Sequence, residues 1–239
     1  MNVPILHRWP RRPATAVALQ RRLAGQVRIC RLESQPRLLA GADAAFGGDG
    51  NTVLAGVVVW DCLTQQTLER IVVQRPCRFP YVPGLLSFRE LPGVLAAFRK
   101  LRRAPDAVLC DAQGLAHPRR FGLACHLGLW LGLPTIGCAK SRLCGEYQVP
   151  PRQRGARTGL WLDGTEVGCV LRTRDDVRPL FVSPGHLCDV ESAARLTLAA
   201  ATRYRLPEPT RLAHLLVNAA RRRLATSVHP TADRRWPNV

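Results

Sequence analysis

A chain of 239 residues with 46% hydrophobic content is long enough for one α/β domain with extensions and a sizeable core, and short of two full domains. Its formal charge of +18 and pI near 11.1 exceed what solubility requires; they point to a polyanion, most simply nucleic acid, ahead of an anionic membrane surface. No window reaches the ~18 apolar residues of a membrane span and the N-terminus lacks an apolar signal core, so membrane insertion and secretion are not expected. The nine cysteines are scattered without a C-x-x-C pair, which argues against a zinc site and suits a reducing cytoplasm.

Residues 1–37 carry eight arginines against Glu33 alone and four prolines, the pattern of a mobile basic arm leading into a helix over Thr15–Arg31. Its arginines could track phosphates or simply form a solvated face. From Leu38 the pattern turns to β, with runs at Leu38–Phe46, Val53–Trp60 and Leu68–Gln74 separated by turn sequences, as in an antiparallel meander. In the Pro80-Tyr81-Val82-Pro83-Gly84 turn, two prolines fix φ on either side of Tyr81 and Gly84 permits a tight backbone, so a stiff loop presents the ring. A helix follows to about Arg103, then a strand Ala107–Asp111, a helix Phe121–Leu131 and a strand Thr135–Ala139. Three antiparallel strands followed by this βαβ unit give the order of a ribonuclease H-like α/β fold: a mixed sheet, meander first and parallel strands after, flanked by helices. Leu160–Leu162, Val167–Arg172 and Leu180–Ser183 read as further strands, Val190–Tyr204 and Pro209–Leu224 as helices, and the sequence after Ala225 as loop. The expected organisation is therefore an arm at 1–37, one catalytic domain at 38–224 and a tail at 225–239.

Carboxylates stand where core is expected. Asp43 lies mid-strand among small apolar residues, Asp111 ends its strand, and Glu90 falls among Leu86, Phe88 and Leu91 of the helix. If the first and fourth strands are neighbours, Asp43 and Asp111 converge at one sheet end and Glu90 joins them from the helix. Three crowded carboxylates repel unless cations neutralise them, and hard oxygen ligands without a convergent Cys or His set favour Mg²⁺, with Mn²⁺ as substitute. Two such ions could drive phosphodiester hydrolysis. The alternatives are a turn cap for Asp111, a solvent-facing Glu90 and a structurally partnered Asp43. Lys140 follows its strand on the sheet end of Asp111 and could steady a water or a phosphate, or be a surface lysine. His214 offers a ligand or proton shuttle on a late helix, and otherwise a surface histidine. His117-Pro118-Arg119-Arg120 is a basic turn suited to phosphate. His126 fits a satisfied core histidine, and His186 a loop.

Taken together, these residues resemble the endonuclease V family. The agreement spans about Leu39 to Leu215 and rests on Gly41-Ala42-Asp43, Pro80–Gly84 leading to Phe88-Arg89-Glu90, Asp111 with His117–Arg120, Pro134–Gly137 with Ala139-Lys140, and Arg205–Thr210. The resemblance implies a ribonuclease H-like fold and Mg²⁺-dependent hydrolysis of the second phosphodiester bond 3′ to hypoxanthine, leaving 3′-hydroxyl and 5′-phosphate ends. By matching position, Asp43, Glu90, Asp111 and His214 would hold metal and Lys140 would assist at the phosphate. Tyr81 would be the wedge that fills the stack when the base leaves, and Pro83, Gly84 and Leu86 would shape the base pocket. The chain departs from the family where Asp111-Ala112-Gln113-Gly114 replaces Asp-Gly-His-Gly or Asp-Gly-Asn-Gly. The methyl of Ala112 narrows or shifts the pocket, and base selectivity is open there.

Two rival readings remain: a ribonuclease H-like nuclease directed by strand structure or mismatch, and a non-catalytic nucleic-acid-binding protein. DNA or RNA containing hypoxanthine is the expected partner, and no obligate protein partner is inferred.

Overall fold

Leu38–Phe46 forms β1 with the bounds the sequence sets, and it is the pivot of the architecture. The structure is a computed structural model that describes residues 1–48 and 50–228. β1 pairs antiparallel with β2 (Thr52–Asp61), which pairs antiparallel with β3 (Gln66–Pro76), completing the meander. On its other side β1 pairs in parallel with β4 (Ala107–Cys110), which pairs in parallel with β5 (Thr135–Ala139). The less regular late strands β6 (Arg157–Leu162), β7 (Thr165–Leu171) and β8 (Leu180–His186) extend the same sheet, with β8 antiparallel to β5. Among the described residues the result is one eight-stranded sheet of order β3-β2-β1-β4-β5-β8-β7-β6.

Helices cover both faces. α2 (Leu86–Lys100) and α3 (Leu123–Leu131) pack Leu91, Val94, Phe98 and Leu127 against Ala40, Ala42 and Val57 on one face. α4 (Val190–Ala200) and α5 (Glu208–Val228) cover the other, where Ala193, Leu196 and Leu212 meet Leu39, Leu109 and Ile136. Burial of this kind is the main force that holds helices to a sheet. α1 (Pro13–Ala24) forms an outer layer, its Ala16, Leu19 and Leu23 packed with Phe79, Leu85, Phe88 and Phe121.

Several bounds differ from the sequence reading, each for a local reason. The first helix stops at Ala24 rather than Arg31, because the following segment runs beside the end of β8, where the Leu187 amide donates to the Arg28 carbonyl. The residues before it are no loose arm: Val3 is buried, and the Trp9 ring stacks on Trp130 at 5.4 Å. α2 ends at Lys100 because the Glu69 carboxylate captures the amides of Arg102 and Arg103. α4 ends at Ala200, with Arg154 donating to the carbonyls of Leu198 and Ala201. α5 continues to Val228, so the start of the tail is helical, and its remainder lies outside the described residues. Among the described residues no helix is long and apolar enough to cross a membrane.

Candidate active site

Two glycines let α5 reach the sheet. A Cβ on Gly41 would lie 1.9 Å from the Pro209 carbonyl oxygen, and one on Gly56 would lie 2.5 Å from Val217 Cγ2. Gly56 is the cross-strand partner of Asp43, and Gly41 shares a strand face with Asp43. The close approach therefore seats His214 directly on Asp43, Nδ1 to Oδ2 at 2.8 Å. Asn218, one turn later, donates to His214 Nε2 at 3.0 Å, which leaves Nδ1 to carry the proton donated to Asp43.

The parallel pairing of β1 with β4 brings Asp111 to the same sheet end. Ligand atoms of Asp43, Asp111 and His214 lie within 4.8 Å of one another. Burial first, and then the Asp111 charge, raises the Asp43 carboxyl above its ordinary range, against the pull of the His214 hydrogen bond. Glu90 enters from α2. It is only partly exposed, and burial followed by the charges of Asp43 and Asp111 pushes its carboxyl up to about 8, with Arg89 opposing. Lys140, at the end of β5, forms an ion pair with Asp111. The expected convergence of Asp43, Glu90, Asp111, Lys140 and His214 is present, and its closest set comprises two carboxylates and an imidazole.

Beside this cluster lies a cavity of about 400 Å³, in the range of small-ligand sites. Its wall includes Tyr81, Pro83, Gly84, Leu86, Ala112 and Gln113 and reaches Asp111 and Lys140. Tyr81 is 72% exposed at the rim. Gly84 takes φ +78°, the left-handed conformation its turn requires. Ala112, the position that departs from glycine, lines the cavity and also joins the buried apolar cluster of the α2–α3 sheet face. Gln113 donates through Nε2 to the Ser141 carbonyl, while its buried Oε1 has no partner among the described residues.

The side chains of the basic turn bond to nearby carbonyls. His117 Nε2 and Arg119 Nη2 both donate to the Gly84 carbonyl, at 2.9 and 2.8 Å, and Arg120 donates to the Leu162 carbonyl at 3.0 Å. His117 and Arg119 thus brace the Tyr81 turn, and Arg120 ties the segment to the β6–β7 turn. Burial foremost holds His117 down to about 4. His126 is a satisfied core histidine, joined to Ser87 and His7. His186 ends β8 instead of lying in a loop, and its Nδ1 accepts from the Arg28 amide.

Gln20 escapes the sequence pattern. It is 1% exposed in α1, donates to the carbonyls of Gly84 (3.0 Å) and Phe121 (3.2 Å), and accepts from Arg119 Nε (2.6 Å). The signal that could have found it is a glutamine inside the Ala16, Leu19 and Leu23 stripe. Asn218 was equally findable, four residues after His214 on one helix face.

The sequence profile described as Endonuclease V matches residues 21–215. An Endonuclease V of Nocardia farcinica is 54% identical over 184 residues, covering 77% of this chain and 81% of the relative. The crystal structure of Endonuclease V from Streptomyces avermitilis superposes with a TM-score of 0.87 at 42% identity, covering 91% of this chain and 96% of that one. The fold is shared as well with Endonuclease V of Ciona intestinalis, solved with a 24mer DNA containing an inosine, at TM-score 0.76 and 21% identity, covering 88% and 98% of the two chains.

Proposed function

The chain belongs to the endonuclease V family, and from that membership and the site's geometry we propose that it cleaves hypoxanthine-containing DNA, with RNA as the alternative strand. The cut falls at the second phosphodiester bond 3′ to hypoxanthine and leaves 3′-hydroxyl and 5′-phosphate ends. One observation carries the reading: a cavity rimmed by the exposed Tyr81 opens onto Asp111 and Lys140, which adjoin Asp43 and His214.

The donor set fits a hard divalent cation, Mg²⁺ with Mn²⁺ as substitute. Two carboxylates and an imidazole converge, and the carboxyls of Asp43 and Glu90 are raised first by burial and then by the neighbouring acidic charges, a cost that a bound cation would offset. Asp43 and Asp111 would hold it, with Glu90 alongside, and His214 would join them through Nδ1 once that nitrogen gives up the proton it donates to Asp43. When bound, such an ion supplies an activated water and charge stabilisation for phosphodiester hydrolysis. Lys140 offers an ammonium beside Asp111 where a phosphate oxygen needs a cation. Tyr81 fills the stack as the base leaves, and the cavity receives that base. Gln113 lines the cavity, and its buried Oε1, without a partner among the described residues, would accept the N1–H of hypoxanthine once the side chain turns toward the base.

Matched duplexes with and without one deoxyinosine, incubated with Mg²⁺ and mapped at nucleotide resolution, test the reading. A single nick at the stated bond, confined to the deoxyinosine duplex, is expected. Equal cutting of both duplexes would instead favour a nuclease directed by strand structure.

A further inference from the structure

Tyr204 stands 42% exposed in the segment between α4 and α5, set among arginines. The Arg211 guanidinium carbon lies 4.2 Å from the ring centroid and that of Arg203 6.0 Å away, and Arg203 and Arg178 are themselves exposed. Glu208 pairs with Arg211 at 2.7 Å and offsets its charge, which leaves the exposed Arg203 and Arg178 as the cations open to a ligand.

Two links place this ring beside the metal cluster. The next residue, Arg205, donates through Nη2 to the carbonyls of Lys140 and Pro179, both at 2.8 Å. Arg211 precedes His214 by three residues on α5, so the two share a helix face. The platform thus borders the cluster from the α5 side, whereas the cavity is walled by the start of α2.

We propose that Tyr204, backed by Arg211, is a stacking platform for a base of the cleaved strand on the 3′ side of the scissile phosphate, with Arg203 and Arg178 following its backbone. The assignment rests on the reading of the site as a hypoxanthine-directed nuclease. With hypoxanthine in the cavity and the cut 3′ to it, the strand that passes the cluster toward α5 is its 3′ portion. An aromatic ring among arginines is the combination that binds an unstacked strand: the ring takes any base face and the cations follow phosphates. A net charge of +18 makes an acidic strand the complementary occupant.

Single abasic nucleotides placed at successive positions 3′ of the cut test the platform. Half-saturating concentrations in single-turnover cleavage are measured for wild type, Y204A and Y204F on inosine oligonucleotides. At one position, removal of the base is expected to weaken wild type and Y204F roughly tenfold, within the range of one base–aromatic stack, and to leave Y204A unchanged. An abasic effect equally large in Y204A, or absent from wild type at every position, would overturn the proposal. Loss of the preference for inosine over matched undamaged strands in wild type would mark a failure of the underlying reading instead.

Discussion

Gln20 Nε2 donates to the Gly84 carbonyl at 3.0 Å and so ties helix α1 to the turn that carries Tyr81. The Gly84 carbonyl also accepts from His117 and Arg119, and Arg119 is steadied by Gln20 Oε1. Replacement by leucine keeps the bulk and removes all three Gln20 bonds. Q20L is expected to lose about 1–3 kcal/mol of stability in denaturant titration. It is also expected to lose preference for inosine over undamaged duplex. Loss of stability with an unchanged preference would confine Gln20 to a structural role.

Gly41 controls the contact between α5 and β1. In G41A the new methyl must displace the Pro209 backbone or the strand, and overpacking of this kind destabilises by about 1–3 kcal/mol, occasionally more. The same displacement separates His214 from Asp43. Denaturation and cleavage assays on G41A are therefore expected to fall together, although no polar group is altered.

His117 sets a pH dependence. Its Nε2 donates to Gly84 and its Nδ1 accepts the Arg119 amide at 3.1 Å, so the neutral ring uses both nitrogens. Burial, with the Arg119 charge adding to it, holds the folded value down to about 4 against the unfolded 6.5. Below pH 6.5 the unfolded chain takes up a proton that the folded chain does not, so stability present above 6.5 is lost as pH falls toward 4. The contribution is roughly 3 kcal/mol. His126, held well below its ordinary value by burial, acts with the same sign. Denaturant titrations from pH 7.5 to 4 are expected to show a shallower acid loss in H117Q than in wild type.

Ala112 lines the cavity. A112G is expected to enlarge the pocket and raise cleavage beside a bulkier deaminated purine, xanthine, relative to hypoxanthine. The ratio of single-turnover rates on the two substrates checks this, and an unchanged ratio would place the methyl away from the base.

The sheet's first half was legible because its strands obey simple patterns. β1 and β5 have the bounds read from apolar runs, and the β1–β4 adjacency required by the fold brings Asp43 to Asp111. What was not legible depends on contacts distant in sequence. Nothing local to Thr15–Arg31 reveals that the chain after Ala24 runs beside β8, or that Glu69 ends α2. A sequence does not show that Gln20 and a carbonyl 35 residues earlier already take two of the Arg119 guanidinium's five donors.

The central claim is that Asp43, with Asp111 and His214, holds the cation that cuts beside hypoxanthine. D43N preserves shape and removes one charge from the cluster. The decisive measurement is the Mg²⁺-dependent single-turnover rate of wild type and D43N on one deoxyinosine duplex, with binding of that duplex measured in parallel. The account requires D43N to bind as wild type does and to cut at least about 100-fold more slowly, since even outer partners of metal ligands contribute 10–100-fold. A D43N protein that nicks the same bond at the wild-type rate, or a wild type that nicks it unchanged in chelator, would contradict it.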